Sequence, residues 1–153
     1  MRAMMWTVAG PALAVLLSNS AIAGDTATKS DAVAMVRKAV EYIKSNGAEK
    51  AYGEISNRQG QFVDRDLYIM AYDLTGKVLA HGANARLIGK DLSDGKDADG
   101  KAYVRERIDL AKASPNFWQD YKFANPVTKK IEPKQTYCER LDDVVICGGI
   151  YKP

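Results

Sequence analysis

The chain has 153 residues, of which 46% are hydrophobic and 27% are charged, and its formal net charge at pH 7 is +3. This length fits a single domain with one hydrophobic core. Lysine and arginine are interleaved with aspartate and glutamate along the chain, which excludes a basic surface for nucleic acid or for an anionic membrane.

Residues 1–23 have the pattern of a secretory signal peptide. Arg2 is a short basic region, the segment Met4 to Leu17 is mostly apolar, and Ala21-Ile22-Ala23 is a cleavage motif. The apolar core is too short to cross a bilayer of ~30 Å, although an uncleaved membrane anchor is the alternative. We therefore predict one mature domain over residues 24–153, periplasmic or secreted, with no membrane span after cleavage.

Two helices are predicted at the start of the mature chain. Thr28 or Ser30 can cap the first helix, and Asn46-Gly47 is a stop signal. A second, shorter helix follows and ends between Asn57 and Gly60. The first helix carries an apolar stripe at spacings of three and four, which is typical of a helix packed on a core: Val33, Val36, Val40 and Ile43.

The segment from Leu67 to Gly82 is predicted to be a β-hairpin with a turn at Asp73-Leu74-Thr75-Gly76. Pairing Asp73 with Lys77 places His81 opposite Ile69, on the same face as Leu79. Both faces of this hairpin are largely apolar, so both should be covered. We expect the first helix on one face and a lid on the other.

The lid is predicted to be Ala83 to Ser114. It contains an irregular turn, a polar loop over residues 91–100 and a helix over residues 101–113. Three antiparallel strands follow, at residues 117–124, 130–139 and 144–151. Pro133 cannot donate to a ladder, so an edge or a bulge is expected there.

The only two cysteines, Cys138 and Cys147, are predicted to form a disulfide. If Asp142-Asp143 is a two-residue hairpin loop, the two cysteines face each other as a non-hydrogen-bonded pair, with Cα atoms ~4.5 Å apart. A redox or metal role is the alternative, but the chain has no CxxC motif and no histidine near them.

A set of positions spread along nearly the whole mature chain matches a known family. The set starts with the run Leu67–Gly82 and continues through polar, glycine, proline and aromatic positions: Asn84, Leu87, Gly89 to Leu92, Asp99 to Lys101, Tyr121, Asn125-Pro126, Thr128, Pro133-Lys134, Tyr137 and Gly148 to Tyr151. It resembles the extracytoplasmic single Cache domains of bacterial receptors. Lys129 departs from the family, which often has glycine there, so that turn should be wider.

The resemblance implies an α+β, PAS-like fold. A long N-terminal helix would pack on a five-stranded antiparallel sheet, with a ligand pocket between the other face and a lid segment that contains a helix. Such domains usually sense small metabolites, often organic acids or amino acids, for chemotaxis receptors and histidine kinases. The chain stops at Pro153 without an output domain, so we expect it to signal through a partner.

The candidate ligand-binding residues combine cations with aromatic side chains. Lys134 and His81 could bind a carboxylate, and the alternatives are a solvated edge lysine and a partly buried structural histidine. Tyrosines provide apolar walls with polar tips, and the irregular lid segment supplies polar groups. The complete set is Lys134, His81, Tyr68, Tyr121, Tyr137, Arg86, Asn84 and Tyr103.

We expect no metal, no cofactor and no catalysis. The acidic loop resembles a calcium loop, but Gly95 stands where the first carboxylate is required. No nucleophile–base arrangement and no phosphate-binding loop is present. The alternative to ligand binding is an interaction module that partners a membrane-bound receptor, a sensor kinase or another exported protein.

Overall fold

A computed structural model describes Gly24 and residues 26–152, so the predicted signal peptide lies outside the described residues. The helices are α1 (Lys29–Asn46), α2 (Ala48–Ile55) and α3 (Tyr103–Ala113), with a 3-10 turn at Ala85–Leu87. The strands are β1 (Val63–Asp64), β2 (Leu67–Asp73), β3 (Val78–His81), β4 (Asn116–Ala124), β5 (Ile131–Leu141) and β6 (Val144–Tyr151). None of the helices in these ranges combines the length and apolarity that a membrane crossing needs.

The strands form one antiparallel sheet in the order β1-β2-β6-β5-β4, with β3 also paired to β2. The five predicted strands are confirmed, and the two-residue β1 is an addition that is too short to leave a pattern in the sequence. The β5–β6 hairpin has the predicted register, with Leu141 opposite Val144. Cys138 and Cys147 form the predicted disulfide, with Cα atoms 4.1 Å apart.

Helix α1 covers one face of the sheet. It is capped by Thr28. The Thr28 hydroxyl accepts from the Asp31 N–H, and the Thr28 backbone N–H donates to the Asp31 carboxylate. This reciprocal arrangement selects Thr28 over Ser30 as the cap. The apolar stripe of α1 packs on alternate residues of the central strands, among them Ile69, Ala71, Tyr137 and Ile146.

The predicted pairing of the first hairpin is wrong by one residue. Met70, and not Ile69, lies opposite His81, because a bulge interrupts the β2–β3 register next to Tyr72. An extra residue in one strand reverses the facing of everything beyond it. Leu79 and Ala80 consequently both pack on the α1 side, and His81 lies on the lid side beside Tyr68.

The lid covers the other face of the sheet, as predicted. Helix α3 buries Val104, Ile108 and Ala111 in a cluster that includes Cys138 and Cys147. The loop before α3 is fastened by Asp97, which accepts N–H groups from Asp99, Lys101 and Lys122. The carboxylate of Asp97 is therefore occupied, and residues 26–152 contain no group of three or more His, Cys, Asp or Glu side chains that could hold a metal ion.

Candidate functional site

Three basic side chains are buried between the sheet and the lid. Lys134 lies on β5, Arg107 on α3 and His81 at the end of β3. Each is 1% exposed or less. Lys134 Nζ, Arg107 Nη1 and Nη2, and His81 Nε2 have no hydrogen-bond partner among the described residues. Unpartnered buried donors are rare in folded proteins, so their concentration under the lid marks a candidate site.

The ammonium group of Lys134 is held against aromatic rings. Its Nζ lies 3.9 Å from the ring centroid of Tyr68 and 4.9 Å from that of Tyr151. The hydroxyl groups of these two tyrosines are 3.2 Å apart, and Tyr151 also donates to the Ala124 carbonyl. Burial is the main cause that lowers the pKa of Lys134, to about 8. The ring faces stabilise the cation, but among the described residues no group accepts a hydrogen bond from Nζ.

The guanidinium of Arg107 is fixed by one hydrogen bond and surrounded by tyrosines. Its Nε donates to Gln119 Oε1 at 3.0 Å, and Gln119 Nε2 donates to the Tyr103 carbonyl and to Glu106. The guanidinium carbon lies 4.9 Å from the Tyr121 ring centroid and 5.0 Å from that of Tyr72. Gln119 therefore sets the direction in which the two terminal nitrogens of Arg107 point.

Tyr121 lies beside both cations. The Arg107 guanidinium is 4.9 Å and Lys134 Nζ 6.0 Å from its ring centroid. Tyr103 stacks on this ring with centroids 4.7 Å apart. Burial acts to raise the pKa of Tyr121, but the positive charges of Lys134 and Arg107 outweigh it and lower the pKa to about 8.

His81 is a neutral hydrogen-bond donor. Its Nδ1 accepts the N–H groups of Ala83 and Asn84, at 3.2 and 2.9 Å, which places the proton on Nε2. Burial first, and then the charges of Lys134 and Arg107, lower the pKa of His81 to about 3. The imidazole therefore stays uncharged at neutral pH and offers one N–H.

A surface cleft of about 320 Å³ leads toward these groups. Tyr68, His81 and Phe123 are among its lining residues, and Lys134 Nζ lies 5.8 Å from the Phe123 ring centroid. Asn84 lines the cleft and also caps the 3-10 turn by accepting the Arg86 N–H. The cleft adjoins the buried donors, because His81 and Tyr68, which lies against Lys134, are among its lining residues.

Most, but not all, of the predicted site residues come together. Tyr68, Tyr103, Tyr121, His81 and Lys134 share the interior under the lid, and Asn84 lies at the cleft. The side chain of Arg86 is exposed.

Tyr137 lies on the α1 face, where its hydroxyl donates to Glu139. Residues three apart in a strand face opposite sides, so Tyr137 and Lys134 cannot serve one pocket.

Arg107 and Gln119 are the members of the site that the sequence analysis missed. Arg107 lies next to the apolar position Ile108 of the lid helix, where an arginine is usually a solvated flank. Gln119 lies two residues before Tyr121 on the predicted strand, and thus on the same face. A polar residue on a face that must be buried was the available signal for Gln119.

The arrangement is suited to binding an anion. It presents donors from a lysine, an arginine and a neutral histidine, with tyrosine rings as walls. Asp66 is a buried carboxylate, but it accepts from the Ala27 N–H and forms no ion pair with the site's cations in residues 26–152. A ligand that brings oxygen acceptors and negative charge would complete the unmet hydrogen bonds.

Comparisons with known proteins agree with the architecture. A family model described as single Cache domain 2 matches residues 17–152. A methyl-accepting chemotaxis protein from Vibrio parahaemolyticus is 29% identical, with a TM-score of 0.69 over 80% of this chain and 87% of that one. No curated protein matches the chain.

Two further solved structures share the fold at 21% identity. One is a periplasmic sensor domain of a chemotaxis protein, with a TM-score of 0.65 over 79% of this chain and 88% of that one. The other is described as the structural basis for carboxylic acid recognition by a Cache chemosensory domain, with a TM-score of 0.68 over 81% and 92%.

Proposed function

This chain belongs to the single Cache domain 2 family, and we propose that it is a periplasmic or secreted sensor domain that binds a small organic acid between its sheet and helix α3. Lys134 supplies the charge that meets the carboxylate. His81 adds a neutral N–H, and Tyr68, Tyr103 and Tyr121 form the walls. The ligand class rests on this chain's own residues, because a likeness at 21% identity shows the fold alone.

The observation that carries the proposal is the set of buried donors without partners. Leaving a buried polar group unpaired costs about 1–3 kcal/mol, and more when the group is charged. A domain that only presented its surface to a partner would have no physical reason to keep Lys134 under the lid. A carboxylate removes this cost by accepting charge-assisted hydrogen bonds.

The signal would pass to a membrane-bound receptor or a sensor kinase. Single Cache domains are extracytoplasmic sensing modules, which supports this role. A change in the position of α3 on ligand binding would alter the surface that such a partner contacts.

A thermal-shift screen tests the proposal. The mature protein is heated with organic acids, amino acids and amines, each at up to ~100-fold excess over its Kd, where a specific ligand adds about 2.7 kcal/mol of stability. We expect an organic acid to raise the melting temperature of the wild type and to have no effect on Lys134→Met. The proposal is wrong if no organic acid stabilises the wild type.

A further inference from the structure

We infer that the ligand is a dicarboxylate, with one carboxylate bound by Arg107 and the other by Lys134. This inference rests on the proposed function and specifies the class of acid. It starts from Arg107, which is fully buried and keeps two terminal nitrogens free of hydrogen-bond partners.

Arg107 is prepared to bind a carboxylate through both terminal nitrogens. Its Nε is already bonded to Gln119, and the ring faces of Tyr72, Tyr103 and Tyr121 surround the guanidinium at 4.9–5.6 Å. A guanidinium with its Nε occupied presents Nη1 and Nη2 as a planar fork, which matches the two oxygens of a carboxylate.

Lys134 is a second and separate anion-binding group. The rings nearest to its Nζ are those of Tyr68 and Tyr151, whereas Arg107 lies against Tyr72 and Tyr103. Tyr121 is the one ring within 6.0 Å of both cations. The two cations therefore approach the site from different sides of the aromatic cluster, and a single carboxylate bonded to the Arg107 fork leaves Lys134 unpartnered.

The charges of the buried groups also favour a dianion. No described carboxylate forms an ion pair with either cation, since Asp66 is bonded to the Ala27 N–H and Glu106 pairs with Lys101. With a pKa of about 8, the Tyr121 hydroxyl is mostly protonated at neutral pH. Asp66 and Glu106 attract Lys134 and Arg107 only at longer range, so neither cation has a carboxylate in contact with it, and a dianion supplies one to each.

The test compares succinate with butyrate, which share a four-carbon chain and differ by one carboxylate. Binding of each to the mature protein is measured by isothermal titration calorimetry at pH 7. We expect succinate to bind about tenfold tighter or more, as an added charge-assisted pair predicts. Malonate and glutarate, measured in the same way, determine the separation of carboxylates that fits best.

Variants of Arg107 show whether this residue causes the difference. Arg107→Gln should weaken the binding of succinate much more than that of butyrate, so that the preference for succinate is lost. Arg107→Lys keeps the charge but loses the fork, and should retain only part of the preference. Arg105→Gln, on the exposed side of the same helix, is the control and should behave like the wild type. Circular dichroism establishes that each variant is folded.

Each outcome distinguishes this inference from the proposed function. If butyrate binds as tightly as any dicarboxylate, the inference is overturned and the binding of organic acids stands. If none of these acids binds, the inference is overturned, and the thermal-shift screen decides separately whether the proposed binding of an organic acid stands. If Arg107→Gln does not fold, the question is decided by comparing the acids on the wild type and on Gln119→Met. The latter variant removes the hydrogen-bond partner of the Arg107 Nε.

Discussion

Lys134 is predicted to lower the stability of the domain while it enables ligand binding. Replacing it with methionine keeps much of the side-chain volume but removes a buried ammonium that has no hydrogen-bond partner. Replacing buried charges by apolar side chains of similar volume is often stabilising by about 1–4 kcal/mol. We therefore expect Lys134→Met to raise the free energy of unfolding by about 1–3 kcal/mol while it abolishes ligand binding, as measured by urea denaturation and calorimetry.

The exposed Lys130→Met is the matched control for Lys134→Met and should change neither property by more than about 0.5 kcal/mol. A clear loss of stability in Lys134→Met would mean that Lys134 holds the fold together. In that case its unpartnered ammonium could not be counted as evidence for a ligand.

The same residues predict how stability depends on pH. The pKa values of Lys134 and Tyr121 are both lowered to about 8, from 10.5 and 10.0. Between pH 8 and 10 the unfolded chain therefore binds more protons than the folded protein at these two sites. Stability must rise with pH in that window through these groups.

Urea denaturation at half-unit steps from pH 7.5 to 10 measures this effect. The difference in unfolding free energy between the wild type and Lys134→Met/Tyr121→Phe should increase with pH. A constant difference would show that the two groups titrate normally. The range stops at pH 10 because burial raises the pKa values of Tyr103 and Tyr151. Above that pH these two residues make the stability of the domain fall as the pH rises.

At the scale of elements, β6 contributes two adjacent glycines that serve opposite faces of the sheet. A Cβ on Gly148 would meet the side chains of Ile69 and Val36, at 3.0 and 3.1 Å. A Cβ on Gly149 would overlap Thr136 Oγ1 and would lie 2.6 Å from Lys134 Cε. Gly148 thus lets α1 approach the sheet, whereas Gly149 leaves the space that the Lys134 side chain occupies.

Gly149→Ala is predicted to disturb the site from within the sheet. The added methyl group must displace Lys134 and Thr136, and overpacking of this kind costs about 1–3 kcal/mol. We expect this loss in urea denaturation, together with weaker ligand binding. Gly53→Ala is the control, because a Cβ there meets nothing within 4 Å, and alanine in the helix α2 should be neutral or slightly stabilising. Unchanged binding in Gly149→Ala would remove Lys134 from the site.

The element patterns of the sequence predicted the fold well where periodicity is strong. The stripe of α1, the β5–β6 register and the disulfide all follow from local spacing. The bulge in the first hairpin did not, because one extra residue leaves no trace in a run that is apolar on both faces. The face that His81 occupies was therefore predicted incorrectly, although His81 was among the predicted ligand-binding residues.

Across the whole molecule, the site is harder to predict than the fold because it depends on contacts between distant segments. Lys134 and Tyr68 are 66 positions apart, yet the ammonium lies 3.9 Å from the ring. Arg107 gave no signal of its own, since an arginine next to an apolar stripe is usually a solvated flank. Only the arrangement of α3 over the sheet shows that its guanidinium is enclosed by three tyrosines.

Ligand binding is also predicted to stabilise the packing of the lid on the sheet. Arg107 belongs to α3 and Lys134 to β5, so a dicarboxylate that bridges them adds a connection where Gln119 now provides hydrogen bonds from β4 to α3. Local opening of α3 should therefore become less favourable when the ligand is bound.

Hydrogen–deuterium exchange measured with and without saturating succinate tests this coupling. Amides of residues 103–113 should exchange about tenfold more slowly in the complex. Amides of α1, on the opposite face of the sheet, serve as the internal control. Arg107→Lys should show a smaller effect because it loses the fork but keeps the charge. Equal protection of α1 and α3 would instead mean that the ligand stabilises the domain globally, and the lid would then have no separate role in signalling.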